Sequence, residues 1–455
     1  MSDKGRKIVI VGNGIAGVTC ARHIRKNDPS ANILIISGES KHFFSRTALM
    51  YIYMGHMKYE HTKPYEDRFW AKNRIDLIQD WVTNIDFQSK KLQLQTSEAV
   101  EYDILVIATG SKPNKFDWPG QELKGVQGLY SLQDLESMEK ETLNIKRGVV
   151  VGGGLIGIEM AEMLRSRNIE VTFLVRESSF WDNILPKEES EMINRHIQEH
   201  HIDLRLGQEL KEIEDDGNGR VSAIKTIDGE TISCQFVGLT AGVNPNIAFL
   251  KNSPLGTELG VLVDQYFATS IKDVYAIGDC AQFRKAPAAE RKLIEQVWYT
   301  GRMHGETLAH TLTKRPVAYN PGPWFNSAKF FDIEYQTYGF VPNKWGEDSA
   351  SFYWEHPDGK ICLRMLFKKN SNQLIGVNSL GMRLRHHFFD KALKDKWTIQ
   401  EVMMKLPKAN FDSEFYDTFH QPIIAAFNAQ FNENIHVEKT PWFKAMFTNN
   451  KLSVK

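Results

Sequence analysis

Cysteine is scarce: four thiols stand at positions 20, 234, 280 and 362 of 455 residues, and no two form a CxxC pair. So few and so scattered, they exclude a disulfide framework. Net charge is absent too, with 56 Lys and Arg against 56 Asp and Glu, so nothing draws the chain generally toward nucleic acid or an acidic membrane, although a local patch stays open. No stretch approaches 18 uncharged apolar residues, which excludes a helical membrane span. The opening Met-Ser-Asp-Lys-Gly-Arg-Lys runs directly into the apolar Ile8 to Val11 and leaves no space for a signal-peptide core, so the expected location is the cytoplasm. The remaining composition, 42% hydrophobic and 25% charged, is that of an ordinary folded chain. The length accommodates about two to four domains.

Three short apolar runs end in glycine. The first, Ile8-Val-Ile-Val-Gly12-Asn-Gly14-Ile-Ala-Gly17, leads into a helical stretch to about Lys26 and an apolar strand from Ile33 to Ser37. The second, Val149-Val-Val-Gly152-Gly-Gly154-Leu-Ile-Gly157, leads into a helix to about Arg167 and a strand from Val171 to Val175. Both read as β-α-β, and their offset of 140 residues is too long for a solenoid period, so it indicates two similar domains. The third is Val274-Tyr-Ala-Ile-Gly278, followed by Asp279 and Cys280. Strand-like runs at Lys91 to Gln95 and Tyr102 to Ala108 lie between, the latter closing with Ala108-Thr109-Gly110. From about 321 the chain turns to aromatic, alternating strands without a glycine fingerprint, and beyond about Thr440 it is basic and polar, a tail expected to be loosely held.

A dinucleotide pyrophosphate needs a strand that delivers it to a helix N-terminus, where unpaired N–H groups and the helix dipole meet the phosphates. Gly12 then makes the tight turn, Gly14 admits the phosphates, and Gly17 lets helix and strand pack; Gly152, Gly154 and Gly157 repeat the set. One such fingerprint is an ordinary glycine turn as often as a site, whereas two in full β-α-β context point to two nucleotides. Glu39, 27 residues after Gly12, stands where an acid takes the adenosine ribose hydroxyls. In the second unit Arg176 stands near the place where an acid would favour NAD. It can pair with a 2′-phosphate, and Glu177 beside it leaves NADH and NADPH both open.

Gly12 to Gly17, Ala108-Thr109-Gly110, Gly152 to Gly157 with Glu159, and Thr269 to Ala281 with Gly278-Asp279 together resemble the two-dinucleotide flavoproteins, the pyridine nucleotide-disulfide oxidoreductases, over roughly residues 7 to 320. The resemblance implies an α/β fold with two Rossmann-like domains and a C-terminal α+β domain. The FAD domain takes residues 1–115 and 246–320, the NAD(P)H domain 116–245, and the C-terminal domain, which often supplies the dimer interface, 321–455. It implies that Asp279 reaches the ribityl or pyrophosphate portion of FAD, that Val82, Thr109, Gly110 and Gly242 border the nucleotides, and that Glu159 contacts the nicotinamide amide. Glu159 also reads as a first-turn helix acid. A helix beginning near Leu293 and carrying Glu295, Gln296 and Trp298 is expected to aim its N-terminus at the flavin.

Relatives acting on disulfides, persulfides or peroxides carry one or two cysteines after the first unit; this chain reads Phe43-Phe-Ser-Arg46-Thr47-Ala48-Leu49-Met50-Tyr51. A threonine hydroxyl cannot cycle through thiolate and sulfenate, so cysteine-relayed chemistry is excluded. The stretch is similar to the Arg-Pro-x-Leu segment of ferredoxin, rubredoxin and nitrite-reductase-type NAD(P)H reductases and of the apoptosis-inducing-factor group, with Arg46 matched and their lysine replaced by Tyr51. Arg46 also reads as a salt-bridging loop residue. Pro323-Trp324-Phe325 is similar to the opening of their C-terminal domain, where aromatics lie near the flavin edge, which implies a cofactor-binding Trp324; Trp324 reads equally as core packing. These resemblances imply an FAD-dependent NAD(P)H:acceptor oxidoreductase, with Arg46 and Glu159 at the reacting centre and electrons passing to a redox protein or small acceptor. A nucleotide-sensing flavoprotein with a dimerisation switch, or an NADH oxidase, are the rival readings, and a homodimer is plausible. His304, His386 and His387 lack partners at metal spacing and are read as structural or surface residues.

Overall fold

The computed structural model describes residues 5–412 and 414–437; the basic tail beyond Thr440 lies outside them. The chain divides into two compact units. One takes the residues up to Trp181 and Asn194–Pro321, the other Asp182–Ile193 and the residues from Gly322 onward.

The first unit holds two five-stranded parallel sheets. In chain order the elements that position the site are β1 (Lys7–Val11), α1 (Ile15–Asn27), β2 (Asn32–Ile36), β3 (Ile75–Ile78), β4 (Ile104–Ile107), β5 (Val126–Gln127), α2 (Leu132–Glu141), β6 (Arg147–Val151), α3 (Leu155–Ser166), β7 (Glu170–Val175), β8 (Asp203–Leu206), β9 (Phe236–Leu239), β10 (Val274–Ala276) and α4 (Trp298–Leu312). The first sheet has the order β10-β4-β1-β2-β3 and the second β8-β7-β6-β9-β5. Strands covered on both faces read as unbroken apolar runs rather than alternating ones. Ile8, Val9 and Ile10 of β1 and Val149 and Val150 of β6 are accordingly all fully buried. The same β-branched runs that announce a strand in the sequence are thus the floor of each core.

The third glycine of each fingerprint is a packing residue. A Cβ on Gly17 would lie 2.1 Å from the carbonyl oxygen of Gly12, and one on Gly157 2.2 Å from that of Gly152. Helices α1 and α4 meet in the same way: a Cβ on Gly305 would lie 2.4 Å from the Ala16 carbonyl oxygen, and one on Gly301 3.2 Å from Ile15 Cγ2. Two glycines four residues apart face one side of a helix, so α4 can lie close enough along α1 to share its end of the sheet.

Helix α4 starts at Trp298, not near Leu293 as the sequence suggested. Arg291 and Glu295 have the i,i+4 spacing of a helical ion pair, yet they pair in an irregular segment. Glu295 also accepts from the Thr300 hydroxyl, and Gln296 donates to Ser111 Oγ. Val297 is extended, with φ −130° and ψ 137°, so the helix cannot reach back past it.

The second unit has an antiparallel sheet of β11 (Phe325–Phe330), β12 (Ile333–Gly339), β13 (Ser349–Glu355), β14 (Cys362–Lys368) and β15 (Leu374–Leu380) in the order β11-β12-β15-β14-β13. Its core includes Phe352, Leu363, Met365 and Val377 from the sheet together with Phe389, Ile399 and Phe427 from three helices. Arg364 is buried there on Glu189, 3.1 Å away, which Asn378 also contacts at 3.0 Å, so a charge that would otherwise be lost from water is paired and hydrogen-bonded. No helix among the described residues is long and apolar enough to cross a membrane.

Candidate nucleotide site

Helices α1 and α3 share an uncapped first turn with α4 and with the helices His386–Lys394 and His420–Phe431, and differ from these in opening at a glycine. Helix α2 and the helix Ile399–Lys405 begin in full capping boxes built on Ser131 and Thr398, which satisfy backbone N–H groups that have no partner inside the helix. Helices α1 and α3 begin at Gly14 and Gly154, with no side-chain cap and no acid in the first turn. Their orphan donors and the positive ends of their dipoles are left for an anion. The two N-cap glycines have no heavy atom within 4 Å of where a Cβ would be, so each opens a space instead of filling one. Gly12 and Gly152, at φ +113° and +116°, make the turns that aim the chain there.

A cleft of about 560 Å³ opens at the α1 end, within the range for organic ligand sites. Of the residues expected to bind cofactor, Gly12, Gly14, Glu39, Arg46, Val82, Thr109, Gly110, Glu159, Gly278, Asp279 and Trp298 all line it. Gly17 lies behind the wall. Gly152 to Gly157, Arg176 and Gly242 follow the C-terminal ends of β6, β7 and β9, the margin of the second sheet. Trp324 precedes β11 in the second unit, where its carbonyl accepts from Gly339 N–H at 2.7 Å. Arg176 is an exposed side chain whose Nε donates to Glu177 at 3.0 Å.

Glu39 and Arg46 form a forked pair, Nη1 to Oε1 at 2.8 Å and Nη2 to Oε2 at 2.5 Å. Glu39 Oε1 also accepts from Leu132 N–H at 2.9 Å, and Arg46 stacks on Tyr130, its guanidinium 4.4 Å from the ring centroid. Arg46 is therefore a fixed cation in the cleft wall, and Glu39, expected to serve a ribose, is first of all its anchor. At the other side Asp279 Oδ2 accepts from Ser111 Oγ at 3.1 Å and from the Tyr130 hydroxyl at 3.2 Å. Removal from water pushes the Asp279 carboxyl up, while those two donors and Arg46 pull it back. The loop holding it is fixed from beneath: Gly278 N–H donates to Nδ1 of buried His304 at 3.2 Å. Burial takes His304 down to about 3, so it is the neutral ring that such an acceptor needs.

Glu159, on α3, reaches the same cleft from the second fingerprint. Desolvation, and then the nearby Glu162, raise it to about 7. None of the four cysteines lines the cleft, and all four are buried and unpaired. Thr47 does line it. Tyr130 and Ser111 were not singled out in the sequence, and Gln296 was named there only as part of a helix that it does not join. They stand 19, 168 and 185 residues from the partners that give them meaning, in the bonds Ser111–Tyr130, Ser111–Asp279 and Gln296–Ser111, so only the tertiary fold brings them together.

A family model described as pyridine nucleotide-disulphide oxidoreductase matches residues 6–303. The chain is 28% identical over 331 residues to rhodocoxin reductase of Rhodococcus erythropolis, covering 71% of this chain and 76% of that protein. It is 30% identical over 278 residues to the nitric oxide reductase FlRd-NAD(+) reductase of Escherichia coli O9:H4 (strain HS), covering 60% and 72%. Among solved structures it is similar to a ferredoxin reductase for the CYP199A2 system of Rhodopseudomonas palustris, with TM-score 0.75 and 25% identity over 83% of this chain and 91% of that one.

Proposed function

The chain belongs to the pyridine nucleotide-disulphide oxidoreductase family, and from that premise we propose that it is an FAD-dependent NAD(P)H reductase delivering electrons to a small redox protein without a cysteine relay. The relatives named rhodocoxin reductase and nitric oxide reductase FlRd-NAD(+) reductase support a protein acceptor. Bound FAD supplies the conversion of a two-electron donor into one-electron steps. The observation that carries the reading is the pair of uncapped, glycine-opened helix N-termini, one of them on a cleft that no cysteine reaches.

In this reading residues 1–115 and 246–320 hold FAD and residues 116–245 the nicotinamide nucleotide. The first turn of α1 receives the flavin pyrophosphate, Asp279 accepts from ribityl hydroxyls, and Arg46, anchored by Glu39, holds positive charge in the wall. The first turn of α3 and Gly152 to Gly157 receive the second pyrophosphate, with Arg176 and Gly242 at its margin. Glu159, neutral up to about pH 7, holds a proton beside the nicotinamide instead of presenting a charge to it. The N-terminus of α4, at Trp298, adds a favourable dipole for negative charge. Residues 321–455 supply the face of a homodimer, with Trp324 near the flavin edge. Four unpaired thiols agree with a cytoplasmic location.

The purified protein is expected to carry a flavin absorption band that NADH or NADPH bleaches without oxygen, and that a panel of ferredoxin, rubredoxin and haem-protein acceptors restores. A colourless protein that takes up no FAD, or a band that neither nucleotide bleaches, overturns the reading.

A further inference from the structure

The strand order of the first sheet gives the cleft a direction. Strands β4 and β10, leading to Thr109 and to Gly278-Asp279, lie on one side of β1; β2 and β3 lie on the other. A flavin nucleotide whose pyrophosphate sits at the end of β1 and whose ribityl chain meets Asp279 must send its adenosine across the ends of β2 and β3. At that end stands Trp81, three residues past β3, lining the cleft with half of its surface exposed (51%).

Trp81 is held as a fixed plate. Its ring lies on the backbone of Gly38, where a Cβ would come within 2.1 to 2.6 Å of three indole carbons, so a side chain at 38 would push the indole from this position. Its backbone is pinned from both sides. Asp80 Oδ1 accepts from Trp81 N–H at 2.8 Å, and Trp81 O accepts from Gln95 N–H at 2.9 Å. The Asp80 carboxylate is in turn gripped by Thr96 N–H, the Thr96 hydroxyl and Ser97 N–H at 3.0, 2.8 and 2.7 Å. Among the described residues no ring stacks on this indole and no hydrogen bond is made by it. A large, rigid, uncovered aromatic face in a ligand cleft suits the π-face of a nucleobase.

We infer that Trp81 is the platform on which the adenine of the flavin nucleotide stacks. It rests on the FAD reading above and adds a positioning residue to it. Base-on-aromatic stacking corresponds to roughly 5- to 150-fold in affinity. The test is titration of the apoprotein with FAD and, separately, with ADP, which carries the adenosine and pyrophosphate but no isoalloxazine. Trp81→Ala is expected to weaken both by that factor and Trp81→Phe to restore most of it. ADP should quench indole emission in the wild type, and the quenching should be lost in Trp81→Phe, which keeps the test available where the alanine variant does not fold. Unchanged affinities, a loss confined to FAD with ADP unaffected, or equal quenching in wild type and Trp81→Phe would each overturn the inference. A wild-type apoprotein that takes up no FAD would instead remove the function on which it rests.

Discussion

Substituting Gly14 and Gly17 by alanine, three residues apart in one turn, should separate binding from folding. At Gly14 the backbone is at φ −69°, ψ −179°, which alanine adopts freely, and a Cβ would meet nothing within 4 Å. Alanine is a poorer N-cap than glycine, a loss of about 0.5–1 kcal/mol, and it removes about 0.4–1 kcal/mol of unfolded-chain entropy. The two oppose each other, so the apoprotein's stability should stay within about 0.5 kcal/mol of wild type. The methyl nevertheless occupies the space left for phosphate. At Gly17 a Cβ would lie 2.1 Å from the Gly12 oxygen, so strand and helix must part, which at the usual penalty for overpacking costs about 1–3 kcal/mol. The assay is thermal unfolding of apoprotein with and without FAD. A ligand at a hundred times its dissociation constant adds about 2.7 kcal/mol to the native state. Gly14→Ala should unfold with the wild-type apoprotein and show little of that gain, whereas Gly17→Ala should unfold early even without FAD. A Gly14→Ala protein that is destabilised without ligand, or that keeps the full FAD-dependent rise, would refute the assignment of the open space to the pyrophosphate.

Glu159 bears on pH. Its folded value of about 7 lies above the ordinary 4.5, so the native state binds the proton more tightly and loses stability as pH rises from about 4.5 through about 7, by at most roughly 3 kcal/mol. Glu159→Gln should flatten that slope and be the more stable protein at pH 8; an unchanged urea midpoint profile between pH 5 and 8 would contradict this. Arg46→Ala leaves the Glu39 carboxylate in the cleft wall with, among the described residues, only the Leu132 N–H. We expect a loss of about 1–3 kcal/mol, below the range for removing one partner of a fully buried pair, together with weaker FAD retention on dialysis; FAD retention equal to wild type would remove Arg46 from the site. Because all four thiols are buried, an alkylating reagent applied to the native protein should label none of them and leave NAD(P)H-driven reduction of the acceptor intact. Inactivation in step with thiol labelling would count against direct electron transfer.

What the sequence discloses is whatever is decided locally. Gly12, Gly14 and Gly17 answer to a strand, a turn and a helix within one stretch of chain, so their roles stand in the order of residues. The buried parallel strands show as continuous apolar runs for the same reason. The Tyr130–Ser111–Asp279 network carries no such mark, since its members belong to three distant segments and an isolated tyrosine after a leucine looks like any other. Gly301 and Gly305 did bear a signal, two glycines at helical spacing, whose meaning depends on α1 lying opposite. The start of α4 was expected too early because nothing local announces the extended Val297, while Glu295 and Gln296 are held by Arg291, Thr300 and Ser111 in an irregular segment. The assignment of Asp182–Ile193 to the second unit is likewise a long-range matter: Glu189 finds Arg364 at a separation of 175 residues.

Counting electrons tests direct transfer most plainly. Anaerobic titration of the holoprotein with NADH or NADPH, followed at the flavin band, should reach full bleaching at a single equivalent of nucleotide per flavin, because the flavin alone stores the pair. A requirement for two equivalents, with the first producing a long-wavelength thiolate-to-flavin band, would reveal a second two-electron centre and contradict transfer without sulfur.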